Sequence, residues 1–451
     1  MTALKKLVVI GCSGAGAMAA KMAKTVNPEL DVTIIREQEE KGLLTRCATP
    51  YIATGNVMVD PSYKDDAVFT NQGIKLVNVK AVGIDRKSRT ITTADGSKYL
   101  YDKLILATGA KPIVLPISGV DLGGVFTLRT SGDAVNILNW INSQRVKNVV
   151  IVGAGAIGTE IAYLIARQGL KIIFVEMLNH IMGKVLDADM AQEIEDYIRE
   201  KGVDLKLGQK VEAIIGEKEV ESVKLSSGKE IKAEMVIISG GVEPSAGLAK
   251  KAGLEMGKFG LKVDEYLQTS DPDIFAAGDI IEYKSFITGK SMFGQLRPNA
   301  VIGGRVAAKN LFGHKVKFPG LINSFATKFF DQSIAAAGIT EQEAKENSID
   351  VISAKQKSMS RHSMMRDKKP YTVKLIFNRQ TKKIIGGQIV SMDSSPVKHI
   401  DVIAMAIRCG LTVLDLTTLR CAGQPELSSD PGMEPLALAA ENVYLDLYGK
   451  E

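Results

Sequence analysis

Cysteine is scarce in this chain of 451 residues: Cys12, Cys47, Cys409 and Cys421 are the whole set. No two are spaced as Cys-x-x-Cys or Cys-x4-Cys, so no local redox disulfide closes, and any chemistry at Cys47 belongs to a lone thiolate acting on something brought to it. Four unpatterned cysteines also argue against a disulfide framework and for a reducing cytoplasm. No run approaches the roughly 18 consecutive apolar residues that a membrane helix needs. The N-terminus enters an apolar run, Leu7-Val8-Val9-Ile10, without a cleavable signal pattern. The formal net charge of +6 is spread out, with no basic stripe interleaved with aromatics, which speaks against nucleic acid and suits phosphate-bearing small molecules. None of the four histidines has metal-ligand spacing with another His or Cys, so no metal is expected. What remains, at 45% hydrophobic and 24% charged, is an ordinary globular composition, long enough for about three domains.

Glycine is where the sequence becomes specific. Ile151-Val152-Gly153-Ala154-Gly155-Ala156-Ile157-Gly158 follows an apolar run and reads as a strand feeding a dinucleotide-binding turn. Gly153 makes the turn, Gly155 lets the backbone approach a pyrophosphate, and Gly158 lets the next helix pack on the strand. The anion then sits on the helix N-terminus. Glu160 in that helix is counted with the cofactor-binding residues. The next strand, Lys171 to Val175, ends at Glu176, an acid placed for a ribose 2′-OH, and Met177-Leu178 offer no arginine to a 2′-phosphate. NADH is therefore expected over NADPH.

A looser copy stands at the N-terminus, Gly11-Cys12-Ser13-Gly14-Ala15-Gly16, with Ser13 at the usual second glycine. Its second strand, Val32 to Ile35, ends in Arg36-Glu37. Glu37 is the ribose candidate, with Arg36 left to cover the adenine. Cys12 reads as a small filler beside the backbone. Two further segments join the units: a strand ending in Ala107-Thr108-Gly109, and Ile274 to Gly278-Asp279, whose carboxylate suits a ribityl hydroxyl. The expected organisation is α/β: two Rossmann-like dinucleotide-binding domains and a C-terminal α+β dimerisation domain. The flavin-type domain covers 1–115 and 242–322, the nicotinamide domain 116–241, and the last domain 323–451. Pro112 to Gly119 marks the crossing out; Gly240-Gly241 and Val242 to Pro244 mark the return.

This order of motifs closely resembles the pyridine nucleotide–disulfide oxidoreductases over essentially the whole chain. The resemblance implies FAD on Gly11 to Glu37, Ala107 to Gly109 and Asp279, and NADH on Gly153 to Glu176. It also implies a homodimer whose last domain roofs the partner's site. Cys47-Ala48-Thr49-Pro50-Tyr51 followed by Gly55 looks like the single-cysteine branch: coenzyme A disulfide reductases, NADH-dependent persulfide or polysulfide reductases, and NADH oxidases and peroxidases. Peroxidases and some oxidases of this branch carry a His where this chain has Gly14. Coenzyme A disulfide reductases carry Asn where this chain has Arg46, and a Tyr-Tyr pair where it has Met364-Met365. Reductases with a His-Glu dyad carry His-Pro where it has Gln424-Pro425. The sequence ending at Glu451 implies no fused sulfurtransferase domain.

A free thiol titrates near 8.5, so Cys47 needs help to work as a thiolate. Arg46, counted with the flavin-binding residues, a helix starting near Ala48, and the flavin itself are the expected sources; Pro50 suits the first turn. The implied cycle passes hydride from NADH through FAD to oxidised Cys47, whose thiolate then attacks a sulfur–sulfur bond. Cys421 is the candidate resolving thiol across the dimer. Cys409, on an apolar helix pattern, is expected in the core, His362 in a solvated loop, and Met364 and Met365 as gap-fillers. The leading expectation is NADH-driven reduction of low-molecular-weight persulfides, polysulfides or disulfides, possibly coenzyme A-based. The alternatives are an NADH oxidase or diaphorase reducing O2 or quinones, and an NADH-responsive flavoprotein that signals to a partner.

Overall fold

The computed structural model describes residues 4–37, 42–143, 145–420 and 422–449. Short apolar runs form parallel strands, the central ones buried on both faces, as parallel sheets favour. The first sheet has the order Ile274–Ala276, Lys103–Leu106, Lys6–Ile10, Asp31–Ile35, Ile74–Val77, every pair parallel. A second parallel sheet repeats the plan with Val125–Thr127, Met235–Ile238, Asn148–Val152, Lys171–Val175 and Asp204–Lys206. Val149, Val150 and Ile151 at its centre are fully buried. Where the chain leaves the first sheet and where it returns, Ala110–Pro112 pairs antiparallel with Val242–Pro244, so both crossings form one short ribbon. Among the described residues no helix is long and apolar enough to cross a membrane.

The C-terminal part is an antiparallel sheet ordered Phe325–Phe329, Gln332–Gly338, Ile384–Ser391, Pro370–Asn378, Val351–Met359. Helices His399–Cys409 and Pro435–Tyr448 join its core through Ile400, Ile403, Ile407, Leu436, Ala440 and Val443. Cys409 is not in that core. Buried positions recur at 400, 403 and 407, which leaves Val402, Met405 and Cys409 on the opposite, exposed stripe. Met364 is likewise no gap-filler within the chain, being 67% exposed.

This sheet is bolted to the second parallel sheet's unit by a buried charge cluster. Lys374 is 3% exposed. Its Nζ reaches Asp189 Oδ1 at 2.8 Å, Glu341 Oε2 at 2.9 Å and Asp187 Oδ2 at 3.3 Å. Asp187 also holds the Gln388 amide, whose Nε2 donates to Oδ2 at 2.7 Å, and accepts from the Glu341 backbone N–H at 2.9 Å. Every charge here has a partner, which is the condition for tolerating burial.

Candidate active site

Both glycine-rich turns have the geometry a dinucleotide needs. Gly11 and Gly153 sit at φ +105° and +98°, open only to glycine at low cost. A Cβ on Gly16 would lie 2.0 Å from the Gly11 carbonyl oxygen, and one on Gly158 2.2 Å from that of Gly153, so each third glycine is fixed by helix–strand contact. Ser13 and Gly155, the residues preceding the two helices, make no side-chain cap, leaving the helix amides for an anion. Beside Gly155 an added Cβ meets nothing within 4 Å, the open space a pyrophosphate requires.

The second turn opens into a cavity of about 560 Å³ lined by Gly153, Gly155, Glu176, Gly241, Lys184 and Lys210, among others. The Glu176 carboxylate is already held there. It accepts from the Ala154 N–H at 2.7 Å and the Leu178 N–H at 2.8 Å, which aims it at a ribose over the turn. Lys184 and Lys210 belong to no motif in the sequence. They come from the loops after the strands Lys171–Val175 and Asp204–Lys206 and add positive charge to the cavity lining.

Around the first turn the structure commits several expected residues to one another. Arg36 forks onto Asp66 at 2.9 and 2.5 Å and donates to Asn78 at 2.7 Å, leaving exposed Glu37 to pair with Lys80 at 2.8 Å. Arg36 is thus anchored at the strand end. Thr108 donates its hydroxyl to the Ser245 carbonyl at 2.8 Å. Asp279, after Gly278 and past the end of the strand that pairs with Lys103–Leu106, accepts from Arg129 at 2.9 Å. Burial pushes the Cys12 thiol up to about 11, which keeps it protonated and fits a packing role.

Cys47 lies in a single 3-10 turn, Arg46–Ala48, that runs on into a helix over Thr49–Ala53, with Pro50 in the first turn as expected. The sulfur is solvent-accessible at one side, and the protein alone does not lower its pKa. Burial raises it, Glu160 raises it further, and Arg297 and its own backbone N–H pull the other way. The opposing cation is Arg297, from the start of the helix Arg297–Leu311. Its Cγ stands 3.9 Å from where a Cβ on Gly14 would be, so the space beside the first turn is taken by an arginine stem. With the flavin stripped, iodoacetamide alkylation of Cys47 should show a midpoint above that of a free thiol. Arg297→Met should move it higher and Glu160→Gln lower, read by mass spectrometry on the Cys47 peptide. A midpoint untouched by Arg297→Met refutes this electrostatic account.

Tyr51 completes the surroundings of Cys47. It follows by four residues along the helical turn, and burial, then the charge of the Glu160 carboxyl, pushes its phenol up. Cys421 lies outside the described residues. The two loops expected to frame the acceptor are locked together: His362 Nε2 contacts Asp430 Oδ2 at 2.8 Å and its Nδ1 accepts from the Met364 N–H at 3.3 Å. Both ring nitrogens are engaged, so His362 is a staple between loops and not a solvated side chain.

Two dinucleotide cradles with a lone accessible thiol define a flavin- and nicotinamide-dependent redox protein. The chain matches the pyridine nucleotide-disulphide oxidoreductase family over residues 5–304 and that family's dimerisation domain over 324–433, and it belongs to this family. It is an oxidoreductase using FAD and NADH. A Methanocaldococcus jannaschii protein named NADH oxidase is 34% identical over 456 residues, 99% of this chain and 100% of its own. An NAD(P)H coenzyme A polysulfide/persulfide reductase of Pyrococcus horikoshii is 33% identical, over 97% of this chain and 98% of its own. The structure of an NAD-dependent persulfide reductase from A. fulgidus superposes with a TM-score of 0.94 at 31% identity, covering 98% of this chain and 84% of that one.

Proposed function

We propose that this protein reduces low-molecular-weight persulfides, polysulfides or disulfides, with coenzyme A-type molecules as the favoured class, through Cys47. The observation that carries the reading is the exposed single thiol at the start of a short helix, with no second cysteine beside it among the described residues. Gly11, Ser13, Gly14, Gly16, Ala107, Thr108, Gly109, Gly278 and Asp279 would hold FAD, which would supply the two-electron redox chemistry. The second turn, with Gly153, Gly155, Gly158, Glu176 and Gly241, positions the nicotinamide cofactor. The residues' own share is to keep Cys47 accessible, to balance its charge between Arg297 and Glu160, and to present it to a sulfur–sulfur bond.

A homodimer in a reducing cytoplasm fits the same reading. The last domain carries the family's dimerisation fold, and Met364, Leu427 and Met433 expose apolar surface at 67%, 76% and 49% on the two stapled loops. A partner's site is the surface such loops would cover.

Oxidase activity is the second reading, on the strength of the Methanocaldococcus jannaschii relative's name. The glycine at position 14, where peroxidases and some oxidases of the branch carry histidine, counts against it. The deciding experiment is anaerobic steady-state NADH oxidation with coenzyme A persulfide, coenzyme A disulfide and polysulfide side by side. Fast turnover on persulfide or polysulfide is expected. O2 or dyes outrunning every sulfur acceptor overturns the proposal.

A further inference from the structure

The cavity at the second glycine turn is lined from two units of the fold. Gly155 and Glu176, read above as the pyrophosphate and ribose contacts, belong to the second parallel sheet's unit and suit the adenosine half of a dinucleotide. Phe293 to Leu296 line it as well, and they come from the flavin-type unit. That segment runs directly into the helix Arg297–Leu311. Arg297 Cγ lies 3.9 Å from where a Cβ on Gly14 would stand, so this part of the lining borders the first glycine turn. A dinucleotide that gives hydride to a flavin on that turn has to bring its nicotinamide to this border, with its adenosine left at Glu176.

Gln295 is the polar side chain of the segment Phe293-Gly294-Gln295-Leu296. Its Nε2 is buried and has no hydrogen-bond partner among the described residues. A buried amide donor left unpaired bears the full cost of losing its water, so such groups are rare and call for a partner. The backbone beneath it is fixed. The Gly294 carbonyl accepts from the Leu296 N–H at 2.7 Å and from Asn299 Nδ2 at 2.9 Å. A Cβ on Gly294 would collide with Leu321 and Tyr283, so the chain is pressed onto both side chains. The Phe293 ring packs against Phe259 with centroids 4.5 Å apart. The amide therefore stands on a clamped turn, and little further ordering is needed when a ligand meets it.

We propose that Gln295 recognises the nicotinamide itself, its Nε2–H donating to the oxygen of the ring's carboxamide. This rests on the reading of the cavity as the nicotinamide-cofactor site. The carboxamide is the one amide of the dinucleotide, and its oxygen is a strong acceptor that suits an uncharged donor. A hydrogen bond there also restrains rotation of the ring about its ribose bond, which contacts to ribose or phosphate do not do. Glu176 and the glycine turn would then supply affinity for the adenosine half, and Gln295 the discrimination at the reactive end.

The test is calorimetric titration of the FAD-loaded, oxidised enzyme with NAD+ and with ADP-ribose, which keeps the adenosine, the pyrophosphate and both riboses but lacks the nicotinamide. Neither ligand reduces the flavin, so binding alone is read. Gln295→Met keeps the length of the side chain and removes its hydrogen-bonding groups. It should raise the Kd for NAD+ relative to that for ADP-ribose about three- to tenfold, the size of one neutral hydrogen bond. A ratio that rises by less than about threefold overturns the proposal, whether NAD+ binding is unchanged or both ligands weaken together, as they would if the residue merely shaped the cavity wall. Glu176→Ala is titrated alongside and should weaken both ligands, since both carry the adenosine ribose. Unchanged binding of both in that variant overturns the reading of the cavity, whatever Gln295→Met gives.

Discussion

Cys47→Ser is expected to lower NADH-driven reduction of persulfide and polysulfide by at least about a thousandfold, roughly 4 kcal/mol of barrier, while leaving dye or O2 reduction in place. The split follows from where the residue stands. The turns proposed to hold FAD and NADH are built from Gly11 to Gly16, Gly153 to Gly158 and Glu176, all distant in sequence from Cys47. Hydride therefore still enters the protein, and acceptors that take electrons without a thiolate are still served. A serine hydroxyl in the same turn has no accessible anion near neutral pH and forms no disulfide, so the sulfur branch loses its nucleophile. Three patterns are separable by stopped-flow and steady-state absorbance. Loss on sulfur acceptors alone supports the proposed reductase. Sulfur turnover that survives removes Cys47 from the mechanism. Wild-type turnover too slow to matter with every acceptor favours a signalling flavoprotein.

Lys374→Met should be the most damaging single change outside the site, costing about 3–5 kcal/mol as an uncompensated buried charge. Removing the ammonium leaves Asp187 buried, and Asp189 and Glu341 lose their shared cation. The two aspartates respond in opposite directions. Burial raises Asp187, whereas at Asp189 burial is outweighed by Lys374 and Lys355, which hold it below the usual range. Asp189's contribution is thus present above its unfolded pKa and disappears as pH falls through its lowered folded value. Lys374 is raised by its carboxylate partners against burial, so its contribution is lost only as pH climbs through that raised value. Thermal and urea unfolding should show the antiparallel domain releasing earlier in Lys374→Met. Adding Asp187→Asn should return part of the loss, because it is the unpaired charge that costs. A double variant no more stable than the single one contradicts that assignment.

The fold is largely legible in the sequence because its signals are local. An apolar run, a glycine turn and a small-residue helix occupy about twenty consecutive residues, and chemistry at that range fixes both parallel units. Glu176 is readable for the same reason, standing at the end of the strand after its turn. Arg297 and Lys210 are not, since only the closed fold brings them to Cys47 or to the cavity. The Lys374 cluster joins residues 187, 189, 341 and 374, and nothing in any one stretch announces it. Cys409 departs from the expected core position because an apolar helix pattern is not uniformly inward: its register puts 402, 405 and 409 on one exposed line.

The paired crossings Ala110–Pro112 and Val242–Pro244 bear on the order in which the chain is made. The first parallel sheet stays short of an edge strand until Ile274–Ala276 has emerged to pair with Lys103–Leu106. Every strand of the second sheet, from Val125 to Ile238, is synthesised before then. On the ribosome the guest therefore finishes folding ahead of its host, and the ribbon clasps a completed body while the flavin-side sheet still waits for its last strand.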